Sequence, residues 1–367
     1  PISPFSTGGT RSEFTSKARP RHTSVLILMR TPSFKVLIIG CGNMAGGYDL
    51  HQPDEALPLG HAKAFRQHGG FEVTTCLDPN NVQRQAFQNH WQIPQGFASW
   101  CDLPHEVGAF DVISICSPTG VHAGDIQAAL KLKPRLIFCE KPVTAHVAQT
   151  QQAVKHCADN QTLLAVNHSR RWSPQVLQLK QQLEAGYWGA VRSVSAVYNK
   201  GMLNNGSHMF DLLLNLFGTL QIMHVGQAVS DHSEADPSVD ACLQTVGGVP
   251  IQLNLAHAQD YALFEMQIVT EKGVIAMEDG GARWRFRTAA PSAQLPGYKF
   301  LNQGEWLVPQ DSPMLRNAIA NLHDALRYGA TLACTGIHAL QAQTLCEQIQ
   351  QRALAQMPQP QDVREAA

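Results

Sequence analysis

Between residues 34 and 165 the chain alternates short apolar runs with stretches of helical periodicity, and few folds accommodate that pattern. KVLIIG, FEVTTCLD, FDVISICSP, PRLIFCE and TLLAVN have the length and unbroken apolar character of strands buried on both faces. Helical segments are predicted between them, around residues 61–68, 82–90, 121–130 and 145–157. A strand covered on both faces needs helices on both sides of its sheet. Strand and helix in strict alternation therefore predict a doubly wound parallel α/β sheet.

The first strand runs into Gly40-Cys41-Gly42-Asn43-Met44-Ala45, a G-x-G-x-x-A turn. Gly40 permits the tight turn, and Gly42, with Asn43 and Met44 after it, lets the backbone approach a pyrophosphate. The small Ala45 allows helix to pack closely on strand. A second strand ends in Asp78, whose carboxylate can accept from both hydroxyls of an adenine ribose and repel a 2′-phosphate. That chemistry favours NAD, with NADP the less favoured cofactor. Asp78 lies further from the glycines than the usual spacing of about twenty residues. The excess falls in residues 48–60, where Pro53, Pro58 and acidic residues predict a loop inserted before the helix at His61. Such a loop is either a lid beside the phosphates or a surface excursion.

The bulk properties narrow the partners. With 367 residues and 44% hydrophobic content, the chain can bury enough surface for two domains. A formal net charge of -1 provides no basic field for nucleic acid or an anionic membrane, so a small neutral or mildly anionic molecule fits better. No apolar run reaches the length of a membrane span. Nine cysteines without a C-x-x-C pair argue against a disulfide framework or a structural zinc, and the histidines show no metal-ligand spacing. A reducing, cytoplasmic setting is expected. Residues 1–33, rich in Ser, Thr, Pro and Arg with only Glu13 acidic, read as a disordered extension. They are either a transit segment or a stretch ahead of a start at Met29, and residues 356–367 read as a disordered tail.

One segment contradicts its own apolarity. In LNNGSHMFDLLLNLFG, Asn204, His208, Asp211 and Asn215 recur at steps of four, three and four while apolar residues fill the rest. A polar stripe thus runs along a buried helix, with Ser207 or Asn205 as its cap and Gly218 as its end.

Taken with SPTGVHAGDIQAAL, CEKPVT, HSRRWSP and the closing TGIHALQAQTLCEQIQ, this segment resembles the glucose-fructose oxidoreductase and inositol dehydrogenase (Gfo/Idh/MocA) family. The resemblance extends over most of residues 34–354. It implies a Rossmann domain over 34–165 and a substrate domain over 166–355, an α+β unit built on an open, mostly antiparallel sheet. The residues support this independently, since 191–200, 239–246, 249–258, 264–270 and 273–278 read as strands and Glu271-Lys272-Gly273 as a hairpin turn.

The resemblance also implies an activity: hydride transfer between a nicotinamide cofactor and a secondary alcohol or ketone of a sugar, cyclitol or related molecule. Lys141 of E-K-P would sit between nicotinamide and substrate, with a cis bond expected before Pro142, and His208 matches the catalytic histidine. Ser117, Pro118, Thr119, His122, Glu140 and Lys141 would contact the cofactor. Asn204 stands where the family commonly has aspartate and becomes a substrate contact that carries no charge. Asp211 is expected to orient the imidazole at the substrate end. Arg171 either pairs with an anionic group on the substrate or forms an interdomain salt bridge. The competing reading is a non-catalytic regulatory protein that senses a dinucleotide or sugar on the same fold. An open sheet further suggests a homo-oligomer that covers the outer face of the C-terminal sheet.

Overall fold

The computed structural model describes residues 33–104, 109–309, 311 and 313–356. All of the expected disordered extension but Ser33, and all of the expected tail but Gln356, lie outside the described residues.

The first six strands are β1 (Phe34–Ile39), β2 (Phe71–Leu77), β3 (Gln95–Phe97), β4 (Val112–Ile115), β5 (Leu136–Cys139) and β6 (Leu163–Val166). They form one parallel sheet in the order β3-β2-β1-β4-β5-β6. Four helices connect them: α1 (His61–His68), α2 (Asn81–Trp91), α3 (His122–Lys131) and α4 (Val147–Asp159). The three-residue β3 escapes the apolar pattern because it is too short to show one. Strand order reverses between β1 and β4, and a crevice opens there beyond the strand ends. Gly40, at φ +80°, sits at that point; a Cβ on it would lie 2.7 Å from the Ser117 nitrogen. Only glycine meets both demands.

Residues 48–60 are an insertion into the first helix. After the glycine turn the chain makes one helical turn, leaves it, and resumes at α1. The N–H of His61 then donates to Met44 O at 3.0 Å and that of Ala62 to Ala45 O at 2.8 Å. Those carbonyls are therefore satisfied as in an unbroken helix. The excursion is fastened by Asp49, which is buried, accepts from the N–H groups of Leu59 and Gly60, and lies 3.8 Å from the buried ammonium of Lys63.

The remaining strands are β7 (Val191–Tyr198), β8 (Leu220–Val229), β9 (Ser238–Thr245), β10 (Pro250–Leu255), β11 (Phe264–Thr270), β12 (Gly273–Glu278), β13 (Arg283–Pro291), β14 (Lys299–Leu301) and β15 (Glu305–Leu307). They form an open sheet ordered β14-β13-β12-β11-β7-β10-β9-β8, with β15 also on β13. Among the described residues of this sheet only the β7–β10 pair is parallel. The remaining helices are α5 (Pro174–Glu184), α6 (Ser207–Phe217), α7 (Met314–Tyr328) and α8 (Gly336–Ala355). One face of the sheet buries Val194, Ala196, Leu253 and Ile268 with Phe210, Leu213 and Ile349 of α6 and α8. The opposite face exposes Ser195, Gln252, Asn254 and Gln267. α7 differs from its neighbours in sequence, since its Leu315, Ile319 and Leu322 pack into the core of the first sheet. The second half of the chain thus returns to complete the first.

The start of α6 departs from expectation. A π-helical turn, Gly201–Gly206, leads into it, preceded by Lys200 and Gly201 at φ 66° and 85°. No side-chain cap from Ser207 or Asn205 forms. Asp236 from the β8–β9 connection does that work, its oxygens accepting from the N–H groups of Leu203 at 2.8 Å and Asn204 at 2.9 Å. Gly218, at φ 76°, ends the helix as expected. Among the described residues no helix is long and apolar enough to cross a membrane.

Candidate active site

The crevice at the reversal of strand order is a groove of 740 Å³ lined by Gly40, Gly42, Asn43, Met44, Asp78 and Pro118, among others. A Cβ on Gly42 would meet only Gln83, at 3.6 Å, so the space above this turn is open to a ligand. Asp78 is buried at the end of β2, and its two oxygens accept from the N–H groups of Cys41 and Asn80, each at 2.8 Å. The carboxylate both shapes the glycine turn and lies in the groove. Open glycine backbone beside a fixed carboxylate fits a dinucleotide.

The groove continues into a cleft of 550 Å³. It gathers Met44, Ser117, Pro118, Thr119, His122, Glu140, Lys141, Asn204 and His208, together with Pro58 and Leu59 of the excursion and Met314 and Leu315 of α7. Lys141 and His208 therefore face one space, though 67 positions separate them in the chain. The bond before Pro142 is cis. Lys141 Nζ donates to the backbone oxygen of Asn204 at 2.6 Å and to its side-chain Oδ1 at 3.3 Å. Burial lowers the lysine's pKa from its ordinary value, against a raising effect of Glu140. Burial, then the charges of Lys141 and Arg170, holds His208 well below its ordinary value, and the ring packs edge-on to His168 with centroids 5.4 Å apart.

Other expected contacts serve as scaffold. His122 is buried with its ring nitrogens 2.7 Å from Ser117 O and 3.0 Å from Pro142 O, tying the loop after β4 to the E-K-P turn. Ser117 Oγ donates to Asp125 Oδ2 at 2.6 Å. Glu140 turns inward, where its Oε1 meets His61 Nε2 at 2.8 Å and Asn167 Nδ2 at 2.7 Å. Burial would raise the Glu140 pKa, yet the His61 bond keeps it below the usual carboxylate value. Burial likewise works against charge on His61, but the Cys116 sulfur and Glu140 outweigh it and lift the imidazole to about 10.

Two expected substrate contacts are not in the cleft. Arg171 Nε donates to both oxygens of Asp211, at 2.8 and 3.0 Å, and both side chains are buried. Both Asp211 oxygens lie on the guanidinium, and among the described residues no hydrogen bond joins Asp211 to the imidazole that it was expected to orient. Arg171 is thus held in a buried salt bridge whose two partners both fall within residues 166–355. The polar stripe accordingly divides: Asn204 and His208 line the cleft, while Asp211 and Asn215 hold Arg171. Sequence reasoning missed Asn167 and Asp236 in and around the site. Asn167 adjoins the HSRRWSP motif, a usable signal, whereas nothing local distinguishes Asp236.

Comparison with known proteins agrees with this geometry. Residues 34–168 match the family model GFO_IDH_MocA, described as an oxidoreductase family with an NAD-binding Rossmann fold. An inositol 2-dehydrogenase of Rhizobium meliloti (strain 1021) is 23% identical over 259 residues, 65% of this chain and 76% of that protein. The WlbA dehydrogenase from Bordetella pertussis, solved with NADH and UDP-GlcNAcA, superimposes with a TM-score of 0.69 at 20% identity, covering 90% of this chain and 100% of that one. The 3-ketoreductase KijD10 from Actinomadura kijaniata, solved with TDP-benzene and NADP, gives 0.68 at 17% identity, covering 87% and 97%. Over residues 34–168 the chain thus matches the Gfo/Idh/MocA family of oxidoreductases, and its second sheet has the fold seen in these solved structures.

Proposed function

We propose that the protein is an NAD-dependent dehydrogenase acting on a secondary alcohol, or the matching ketone, of a sugar, cyclitol or sugar derivative. The observation that carries this reading is the shared cleft of Lys141 and His208 at the end of the glycine-turn groove. The nicotinamide, when bound, supplies the hydride acceptor or donor. Gly40, Gly42, Asn43 and Met44 would hold its phosphates. Asp78 would hold the adenine ribose, its charge disfavouring a 2′-phosphate. His208, kept neutral by its surroundings, offers a lone pair to the hydroxyl proton. Lys141, anchored on Asn204, presents its remaining N–H donors to the reacting oxygen. Pro58, Leu59, Met314 and Leu315 close the apolar side of the cleft against water.

The regulatory alternative draws no support from the relatives above, two of which are named as dehydrogenases and one as a reductase. The test is formation of the reduced cofactor, NADH or NADPH, followed by its absorbance with NAD or NADP and a panel of sugars, cyclitols and sugar acids. NAD should be the better cofactor. Lys141→Ala should lower turnover by about a hundredfold or more while leaving NADH affinity nearly unchanged. Turnover that survives the substitution would remove Lys141 from the reaction.

A further inference from the structure

Beneath the E-K-P turn lies a buried polar chain that joins four elements of the first half. His61, fully buried at the start of α1, stacks on Phe138 of β5 with ring centroids 4.7 Å apart. One ring nitrogen is 2.7 Å from Ser114 Oγ of β4, and the other is 2.8 Å from Glu140 Oε1. That same carboxylate oxygen accepts from Asn167 Nδ2 at 2.7 Å. Asn167 follows β6, and its backbone N–H is held by Cys139 O at 2.9 Å. Position and amide orientation are thus both determined. Flipping the amide would set its oxygen against a carboxylate, so the nitrogen must face Glu140 and Oδ1 must face the other way. Oδ1 is buried and has no hydrogen-bond partner among the described residues, although Asn167 lines the cleft with Lys141 and His208. A buried acceptor without a donor is costly, and such a group is retained where a ligand supplies the donor.

We infer that Asn167 Oδ1 is the acceptor for the primary carboxamide N–H of the nicotinamide ring, with Ser114, His61 and Glu140 as the relay that holds the amide in register. The inference rests on the dinucleotide reading above and adds to it the residue that recognises the ring's substituent. Of the groups that a dinucleotide brings to this end of the groove, the carboxamide is the one with two N–H donors. The relay explains why so much buried polar structure lies under a single side chain: a free amide would rotate to satisfy itself on whichever neighbour it met.

Binding alone tests this, without a known substrate. Calorimetry would compare three probes on the full chain: NADH, its 3-acetylpyridine analogue, which replaces the amide NH2 by methyl, and ADP-ribose, which lacks the ring. The unaltered protein should bind NADH about tenfold more tightly than the acetylpyridine analogue, the scale of one hydrogen bond. Asn167→Ala should weaken NADH about tenfold, leave ADP-ribose unchanged and bring the ratio of the two reduced dinucleotides close to one. Should Asn167→Ala fold poorly because Glu140 loses a donor, Asn167→Ser offers Glu140 a hydroxyl donor on a side chain too short to carry an acceptor out to the ring, and should show the same collapse of the ratio. A ratio unchanged by either variant, with ADP-ribose still bound, overturns the role of Asn167 alone. If none of the three probes binds the unaltered protein, the dinucleotide reading fails and this inference fails with it.

Discussion

His208 carries the proton transfer in the proposed reaction, and its surroundings decide the pH at which it can do so. Burial first, then the charges of Lys141 and Arg170, holds its pKa well below 6.5, so the imidazole is neutral at physiological pH. Oxidation should accordingly stay active through mild acid and fall only well below pH 6.5. His208→Ala should remove most activity together with that acidic limb. Asn204→Asp, which puts a carboxylate into the same cleft, should move the limb upward because a nearby negative charge favours the imidazolium. The profile of kcat/KM against pH for the three proteins measures this; an acidic limb that persists in His208→Ala would make the histidine a packing residue. The same depression acts on stability. Between the folded and unfolded values the unfolded chain binds the proton, so the stabilisation is full above about 6.5 and is lost as pH falls toward the folded value.

Among the elements, the 48–60 excursion is unusual in how little it disturbs its host helix. Because His61 and Ala62 take up the carbonyls of Met44 and Ala45, joining Gly47 directly to His61 would restore continuous helical hydrogen bonding. Lys63 would then face solvent, since its partners Pro53 O and Asp49 leave together. Removing only Asp49 is a different matter. Asp49→Ala would strand a buried ammonium and two N–H groups and should cost about 3 kcal/mol or more. Urea titrations should therefore show the shortened chain to be more stable than Asp49→Ala. An order reversed, or a shortened chain that does not fold, would show that the excursion organises the helix rather than decorating it. Through Pro58 and Leu59 the excursion also lines the cleft, while Asp49 fastens it at its base.

For the whole molecule, the decisive contact is the pair between Arg171 and Asp211. It joins α6 of the second half to the turn where the chain leaves the first sheet, and Arg171 also reaches Ala333 O on the segment that returns to the first core. A buried ion pair adds little over an apolar pair of the same shape, but breaking one partner leaves a desolvated charge. Asp211→Ala is expected to lower unfolding free energy by about 3–5 kcal/mol, read in urea melts. Near wild-type melts accompanied by lost turnover would instead return Asp211 to the catalytic role that its spacing suggested.

Much of this was legible along the chain because it depends on neighbours in sequence. Strand length and apolar continuity set the parallel sheet, and the glycine turn and its strand set the groove beside it, whereas Lys141 and His208 were singled out by the family resemblance of their motifs. What the chain did not disclose joins residues far apart: Arg171 with Asp211 across 40 positions, Asn204 with Asp236 across 32, His61 with Glu140 across 79. A period of four, three and four places Asn204, His208, Asp211 and Asn215 on one helical face, yet it says nothing about what that face meets. The π-helical turn and the position of Arg171 made two of them cleft residues and two of them an anchor. Such choices belong to tertiary structure, because the energy of a buried polar group is set by the partner that folding brings to it.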